Sequence, residues 1–177
     1  MVFFHRADLD GAGKYQSAVI ASLTFRTLSE NTLSSISILV VDDYKDWRNQ
    51  VRLLLQERPE WQIICEASDG LEAVQKAEEL KPDLILLDIG LPKLNGIEAA
   101  RQIRKVSQES KILFLSADNS PDAVQAALGT GASGFVHKAR APSELLPAID
   151  TVLRGEQFVS NTSKPTTSAK PPKDKLR

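Results

Sequence analysis

Short aliphatic runs alternate along the chain with stretches in which apolar residues recur every three or four positions. Short runs rich in branched residues are typical of buried strands, whereas the three-and-four spacing is typical of amphipathic helices. The pattern predicts five strands, at residues 36–41, 62–67, 84–87, 111–115 and 134–137. Each strand is followed by a helical stretch, and these stretches include Val51, Val74, Ala100, Val124 and Ile149.

This alternation of strands and helices predicts an α/β fold. Aliphatic strands joined through helices form a parallel sheet that is covered on both faces and wound by right-handed crossovers. We therefore expect a flavodoxin-like, doubly wound (βα)₅ fold with a five-stranded parallel sheet, in a single domain at residues 36–158. Residues 1–35 are expected to be an N-terminal extension of unassigned role, and residues 159–177 a disordered basic tail.

Composition indicates a globular protein and argues against membrane insertion and direct nucleic-acid binding. Of its residues, 42% are hydrophobic and 25% are charged, which is typical of a globular protein. No apolar run approaches the roughly 20 residues that a membrane-spanning helix needs, so we expect a cytoplasmic protein without membrane contact. The net charge of −1 argues against direct nucleic-acid binding, although the tail holds five Lys or Arg residues against one Asp.

Polar and charged residues follow the predicted strands at their carboxyl ends, where ligands bind in doubly wound sheets. They are Asp42, Asp43, Asp88, Ser116 and Lys138. Each alone has an ordinary explanation as a helix cap, a turn residue or a solvated charge. Together, however, three carboxylates at one edge would repel one another unless a divalent cation and the lysine neutralised them. The pattern therefore predicts a Mg²⁺ site, because Mg²⁺ binds one or two carboxylates together with phosphate oxygens.

A phosphoryl group is the substrate that suits this set of residues. Asp88 would be the nucleophile and form an aspartyl phosphate, while Mg²⁺ and Lys138 spread the charge that develops on the phosphoryl oxygens. Ser116 could donate its hydroxyl group to a phosphoryl oxygen, a contact present only in the modified state. Such a contact makes a switch rather than an enzyme, and we expect no turnover of an external substrate.

Four motifs resemble those of the response regulator receiver domain of two-component signalling. They read ILVVDDY, LILLDIGLPKLNGIEA, ILFLSA and GFVHK, and they follow the family's order at the ends of the corresponding strands. The resemblance covers about residues 36–158. It implies that Asp42, Asp43 and Asp88 hold Mg²⁺, that the Gly90 carbonyl completes the metal shell, and that Asp88 accepts phosphate from a sensor histidine kinase.

The same resemblance implies how the signal leaves the site. Ser116 and Lys138 are expected to bind the phosphoryl group, and Phe135, at the family's switch aromatic position, to turn inward when Ser116 moves toward the phosphate. The output is expected to be contact with an unknown downstream protein, or a homodimer, through the fourth helix, fifth strand and fifth helix. The motifs are most similar to the branch whose receivers precede a helix-turn-helix domain. Only a polar tail follows here, so direct transcriptional control is not expected.

Three alternatives stay open. Haloacid dehalogenase-like phosphatases also use an Asp nucleophile with Mg²⁺, but they need Asp-x-Asp. Position 90 is Gly, which leaves no acid to protonate a leaving group. A receiver-shaped module that is never phosphorylated is the second alternative. The third is a DNA-binding or transcription-associated regulator, acting through a partner or through non-specific contacts of the basic tail.

Overall fold

Strands and helices alternate over residues 35–160, the part of the chain that the computed structural model describes. The strands are β1 (Ile36–Val41), β2 (Trp61–Ala67), β3 (Leu84–Leu87), β4 (Lys111–Ser116), β5 (Gly134–His137) and β6 (Phe158–Val159). The helices are α1 (Lys45–Leu55), α2 (Gly70–Leu80), α3 (Gly96–Val106), α4 (Pro121–Leu128) and α5 (Ala141–Leu153), with a 3₁₀ turn at Lys138–Arg140. The expected N-terminal extension and most of the expected tail lie outside the described residues.

All pairs of neighbouring strands are parallel, in the order β2-β1-β3-β4-β5-β6. The chain winds outward in both directions from β1 and β3, so the point at which strand order reverses lies between these two strands. α1 and α5 pack on one face of the sheet, and α2, α3 and α4 pack on the other. The flavodoxin-like, doubly wound architecture that the sequence predicts is confirmed.

The burial of the strands explains this two-faced packing. All four residues of β3 are buried, and successive side chains of a strand point to opposite faces. In β1, Ile38 and Val40 pack under α1 and α5, whereas Leu39 and Val41 pack under the other three helices. Continuous aliphatic runs are therefore needed in the central strands, because both of their faces are covered.

Three helices begin at a side chain that accepts a hydrogen bond from the first helical turn. These N-caps are Asp69 of α2, Asn95 of α3 and Ser120 of α4. Each accepts from the backbone N–H group three residues later, which satisfies one of the otherwise unpaired donors of the helix. Over residues 35–160, every helix is too short or too polar to cross a bilayer.

The sheet has six strands, and the expectation of five is wrong in this respect. Phe158 and Val159 pair in parallel with β5, and the N–H group of Ser160 donates to the carbonyl of Phe135 at 2.8 Å. Ser160 is only 4% exposed, so the domain extends beyond the predicted boundary at residue 158. A two-residue strand has no period to read from sequence, because it forms only where an open edge such as that of β5 is available.

Candidate functional site

The carboxyl ends of β1 and β3 bring the predicted acidic residues together. The N–H group of Asp88 donates to the carbonyl of Val41 at 3.0 Å, so Asp88 extends the pairing of β3 with β1 and lies beside Asp42. Carboxylate oxygens of Asp42, Asp43 and Asp88, here called the acid cluster, lie within 4.8 Å of one another. Asp42 is 1% exposed and Asp88 7%, whereas Asp43 faces solvent. Two of the three carboxylates are thus shielded from water.

Lys138, the first residue of the 3₁₀ turn after β5, brings a positive charge to the acid cluster. Its Nζ lies 2.6 Å from Asp42 Oδ2 and 2.9 Å from Asp88 Oδ2. Burial acts to lower the pKa of Lys138, but the contacts of its ammonium group with the two carboxylates outweigh burial, and the pKa is raised above its ordinary value. Lys138 therefore stays charged where the sequence predicts a phosphoryl-binding ammonium group.

The ion pair with Lys138 does not bring the pKa of Asp42 back to its ordinary value. Burial raises the pKa of the Asp42 carboxyl group, and the Lys138 ammonium group and the Tyr44 N–H group oppose this shift without cancelling it. Among the described residues, Asp42 Oδ2 has no partner with hydrogen-bond geometry, so its contact with Lys138 is a charge contact. One ammonium group serves three carboxylates, and the acid cluster keeps an excess of negative charge that suits a further cation.

Two residues of α1 that support the site were not found by sequence reasoning. Arg48 Nη1 donates to the carbonyl of Asp42 at 2.7 Å and its Nε donates to Glu66 Oε2 at 2.9 Å, which fixes α1 against the ends of β1 and β2. The ring centroid of Trp47 lies 5.4 Å from Lys138 Nζ. The available signal was their position one turn after the acid pair, on a helix whose first turn lacks a side-chain cap.

The β3–α3 loop, residues 88–95, holds Asp88 through its own backbone. The Ile89 N–H group donates to Asp88 Oδ1 at 2.8 Å, and the Gly96 N–H group donates to the Ile89 carbonyl at 2.9 Å. A Cβ atom at Gly96 would lie 1.9 Å from the carbonyl oxygen of Asp88. Only glycine permits this approach, so the first residue of α3 lies directly under the predicted phosphoacceptor.

The same loop is also fixed against the start of α2. Lys93, with a φ of 62°, places its Nζ 2.6 Å from the buried Oδ2 of Asp69, the N-cap of α2. The Gly70 N–H group faces the Pro92 carbonyl at 3.5 Å, and a Cβ atom at Gly70 would lie 1.9 Å from the Leu94 carbonyl oxygen. The β3–α3 loop is therefore anchored at both α2 and α3.

Ser116 lies at the end of β4 and is 3% exposed, as a residue that reports on Asp88 requires. Its Oγ accepts a hydrogen bond from the Asp118 N–H group at 3.1 Å, and Asp118 Oδ1 accepts from the Ser120 N–H group at 2.9 Å. His137 Nε2 lies 3.1 Å from the Ala117 carbonyl oxygen. These contacts hold the β4–α4 loop, residues 117–120, whose side chains are exposed.

Phe135 lies wholly inside the core on the face covered by α2, α3 and α4. Its pairing partner on β4 is Phe114, which is also fully buried. The ring already lies inward in this structure, and its movement when Ser116 moves toward a phosphoryl group stays a prediction. The alternation of β5 directs Phe135 toward α4, and pairing of β6 covers the edge past which an outward ring would extend.

Ser160 connects β6 to the elements around Lys138, a feature that sequence reasoning also missed. The N–H group of His137 donates to Ser160 Oγ at 3.1 Å, and Ser160 Oγ in turn donates to the carboxylate of Glu144 in α5. Arg140 pairs with the same carboxylate group through Nη1 at 2.8 Å. The backbone on either side of Lys138 is thus held by the end of β6 and the first turn of α5.

The acid cluster, the lysine and the strand order agree with the outcome of comparison with protein families. The family model described as the response regulator receiver domain matches residues 38–150. The chain belongs to the response regulator receiver family.

Two curated response regulators are similar to this receiver over about three quarters of the chain. The nitrate/nitrite response regulator protein NarL of Escherichia coli K12 is 35% identical over 133 residues, 75% of this chain and 62% of NarL. The transcriptional regulatory protein DegU of Brevibacillus brevis is 34% identical over 71% of this chain and 53% of DegU. The chain therefore spans about half to three fifths of the length of these relatives.

Solved structures give the same family. A two-component response regulator of the LuxR family from Aurantimonas sp. SI85-9A1 is 35% identical, with a TM-score of 0.67, over 71% of this chain and 89% of that one. The response regulator domain of Thermotoga maritima CheB is 34% identical, with a TM-score of 0.62, over 67% of this chain and 96% of that one.

The acid cluster fits the Mg²⁺ ion that receivers bind. Its donors are carboxylate oxygens, which a hard divalent cation prefers, and they lie close enough to one another to bind a single ion. Gly90 lies close to the acid cluster, since a Cβ atom there would be 3.7 Å from Asp88 Oδ2. That the Gly90 carbonyl binds the metal stays a prediction.

Proposed function

We propose that this receiver is a phosphorylation-dependent switch in which Asp88 accepts a phosphoryl group from a sensor histidine kinase. The observation that carries the proposal is the Lys138 ammonium group, 2.9 Å from Asp88 Oδ2 and 2.6 Å from Asp42 Oδ2. A phosphoryl group on Asp88 would develop its negative charge beside this ammonium group in a largely buried site, where charge attraction is weakly screened.

The transfer moves one phosphoryl group between two side chains. A carboxylate oxygen of Asp88 attacks the phosphorus of the kinase's phosphohistidine, a P–O bond forms, and the P–N bond breaks. The imidazole leaves with the bonding electron pair and takes up a proton from solvent. Water later attacks the phosphorus, which returns the Asp88 carboxylate and releases inorganic phosphate.

Each residue of the site has one part in this transfer. Asp42, Asp43 and the Gly90 carbonyl would hold Mg²⁺, which when bound neutralises charge on the phosphoryl oxygens. Lys138 would bind one of these oxygens directly, and Ser116 Oγ would donate to another. To do so, Ser116 must give up the hydrogen bond that it accepts from the Asp118 N–H group.

We infer that the output surface comprises α4, β6 and α5. The sequence-based surface included β5, but β6 pairs with β5 and covers its edge, so β6 replaces β5 in this surface. Val159 is 38% exposed, and it lines a groove of about 630 Å³ between α4 and β6 with Val124 and Leu128. The β4–α4 loop joins Ser116 to α4, so movement of Ser116 toward a phosphoryl group would shift one wall of this groove.

The partner that we propose for this surface is a second copy of the chain, because symmetric dimers are the commonest assemblies of small domains. DegU is named a transcriptional regulatory protein, and we infer that the downstream event is transcription-associated. Light scattering with and without beryllofluoride tests the dimer. We expect beryllofluoride to raise the measured mass of the wild-type protein and to leave the mass of Ser116→Ala unchanged. If the mass stays constant but another protein binds only in the phosphorylated state, the surface contacts a downstream partner instead.

Labelling with acetyl phosphate and Mg²⁺ tests the phosphoacceptor. The wild-type protein should gain the mass of one phosphoryl group, which mild base removes, and Asp88→Asn should gain none. Asp122→Asn, a change in an exposed acid of α4, is the matched control and should label like the wild type. Equal labelling of Asp88→Asn and the control would show that Asp88 is not the acceptor.

The phosphatase alternative makes a different forecast. Residue 90 lies beside Asp88, where a second acid would have to protonate the leaving group, and glycine has no side chain to do this. We therefore expect no repeated turnover of p-nitrophenyl phosphate. Turnover that Asp88→Asn abolishes would favour the phosphatase over the switch.

A further inference from the structure

Trp47 lies in the first turn of α1, four residues before the buried Val51 and eight before the buried Leu55. This spacing places it on the apolar stripe of α1, where it packs at the margin of the core formed with α5. A leucine or phenylalanine would fill such a position equally well. Two features of Trp47 are not explained by packing alone.

The first feature is the position of a cation over the indole ring. Lys138 Nζ lies 5.4 Å from the ring centroid, and the same ammonium group contacts Asp42 and Asp88. The face of an aromatic ring carries partial negative charge, so it attracts an ammonium group, and tryptophan does so more strongly than phenylalanine or tyrosine. The attraction grows when the cation is shielded from water, and the side chain of Lys138 is only 16% exposed.

The second feature is an unused donor. Trp47 Nε1 is buried and has no hydrogen-bond partner among the described residues. Leaving a buried N–H group unpaired costs free energy that an apolar side chain would avoid. At this position the indole therefore stabilises the fold less than an apolar side chain of similar size would. The contact of its ring face with Lys138 is what an aliphatic side chain could not provide.

The surroundings of Lys138 show what this contact would do. Its side chain lines a groove between α1 and the start of α5, together with Trp47, Leu53, Leu54 and Pro142. The attraction of Asp42 and Asp88 for the ammonium group depends on the net charge around them. A bound cation offsets that charge, and modification of Asp88 alters it. The attraction of the uncharged indole ring does not change with these events, so it can keep the ammonium group at the site throughout.

We propose that Trp47 is a positioning residue that holds the Lys138 ammonium group in place for phosphoryl transfer. This inference rests on the proposed phosphorylation of Asp88. The indole does not touch the phosphoryl group; it limits the directions in which the Lys138 side chain can leave the acid cluster. Loss of the ring's negative face should therefore slow labelling even when the shape of the side chain is preserved.

Fluorinated tryptophan separates charge from shape. The chain contains two tryptophans, Trp47 and Trp61, so Trp61→Phe leaves Trp47 as the sole site of incorporation. Replacing Trp47 in this background by mono-, di- and tetrafluorotryptophan weakens the ring's negative face in steps at nearly constant size. We expect the rate of acetyl phosphate labelling at saturating Mg²⁺ to fall in the same steps, by roughly threefold to thirtyfold at tetrafluorotryptophan.

Trp61 supplies the matched control. It also has a cation over its ring, Arg58 at 4.8 Å, but it lies at the start of β2, at the opposite end of the strands from the acid cluster. In a Trp47→Phe background, the same fluorinated series at Trp61 should leave the labelling rate constant. A flat series at Trp47, or an equal fall in the Trp61 series, would overturn the proposal.

A second measurement does not depend on phosphorylation. The Lys138 ammonium protons, assigned by their loss in Lys138→Met, can be followed by ¹⁵N nuclear magnetic resonance in the unmodified protein. Their exchange with water should accelerate along the Trp47 series and stay constant along the Trp61 series. If no protein labels but this trend is present, the proposed function fails while the contact between Trp47 and Lys138 stands. If labelling proceeds without the trend, Trp47 does not position Lys138.

Discussion

The two loops beside Asp88 are held in opposite ways. The β3–α3 loop is anchored to both α2 and α3 through Lys93, Gly70 and Gly96, and two of these anchors leave no room for a Cβ atom. The β4–α4 loop has exposed side chains, and its contacts are local ones among Ser116, Asp118 and Ser120 together with one from His137. One loop is fixed by contacts that need neighbouring elements; the other is held by bonds that a single side-chain movement can break.

Under the proposed function, this difference suits one loop to hold Asp88 still and the other to let Ser116 move. The acceptor carboxylate must keep its position relative to the acid cluster, so its loop is built into the packing of the α2–α3 face. The reporting hydroxyl group must be free to move, and a phosphoryl group on Asp88 can shift only an element whose alternative positions are close in free energy. If Asp88 is phosphorylated as proposed, we therefore expect the response in the β4–α4 loop and α4.

The largest effect should come from filling the space under Asp88. Gly96→Ala would place a Cβ atom 1.9 Å from the Asp88 carbonyl oxygen, so backbone must move. We expect the free energy of unfolding to fall by about 3 kcal/mol or more, measured by urea denaturation. Gly90→Ala is the control in the same loop, because its Cβ atom would meet Asp88 Oδ2 at an ordinary 3.7 Å. Equal losses in both variants would contradict the close approach at Gly96.

A smaller effect should come from the anchor at Lys93, which combines a stabilising contact with an unfavourable backbone conformation. Lys93→Ala removes the ion pair with Asp69 and keeps the φ of 62°, so we expect only a small loss of stability, since Lys93 is mostly exposed. Lys93→Gly removes the ion pair and also the backbone strain, and it should be more stable than Lys93→Ala. Urea denaturation of the pair decides the order, and a less stable glycine variant would show that the backbone is unstrained.

The stabilisation from the contact between Lys93 and Asp69 should also depend on pH. Hydrogen bonding from the Glu72 N–H group, followed by the Lys93 ammonium group, lowers the pKa of Asp69. A lowered pKa in the folded state stabilises the protein above the unfolded-state value of about 3.9, and this stabilisation is lost as pH falls through the folded-state pKa. In Asp69→Asn, stability should therefore fall less steeply with acidification than in the wild type. Parallel curves of unfolding free energy against pH would refute the shift.

The smallest effect on stability should come from the reporting loop. Ser116→Ala removes the acceptor of the Asp118 N–H group, which lies in an exposed loop where water can replace it, so the free energy of unfolding should change by less than about 0.5 kcal/mol. The same variant should abolish the beryllofluoride-dependent change in amide hydrogen exchange of α4. Persistence of that change would place the coupling between Asp88 and α4 elsewhere.

Most of the fold could be predicted from the sequence, because its elements are encoded locally. The aliphatic run of β3 and the apolar stripe of α3 can be read without knowing what they pack against. β6 could not be predicted, since two residues have no period and their pairing depends on the edge that β5 provides. Whether Phe135 lies in the core or at the surface could not be decided from sequence for a related reason, because burial of that ring depends on α4 and β6.

The site divides along the same line. Asp42, Asp88 and Ser116 could be found because each follows a buried strand, and parallel strands end at one edge. Arg48 and Trp47 act through a helix whose rotation about its axis is set by tertiary packing, so sequence spacing alone did not show that they face the site. Ser160 was missed because its partners, His137 and Glu144, lie on elements distant in sequence.

The short β6 strand also determines where this protein can recruit a β-strand from outside. Because β6 covers β5, the long unpaired edge within residues 35–160 is that of β2. There Ile64 is exposed, and the salt bridges of Glu66 with Arg48 and Arg52 place charge beside the strand. Charged edges disfavour intermolecular pairing. A chain shortened to end before Phe158 would instead expose the backbone N–H and C=O groups of Gly134–Val136, whose side chains are apolar and uncharged. We expect edge-to-edge aggregation to begin there.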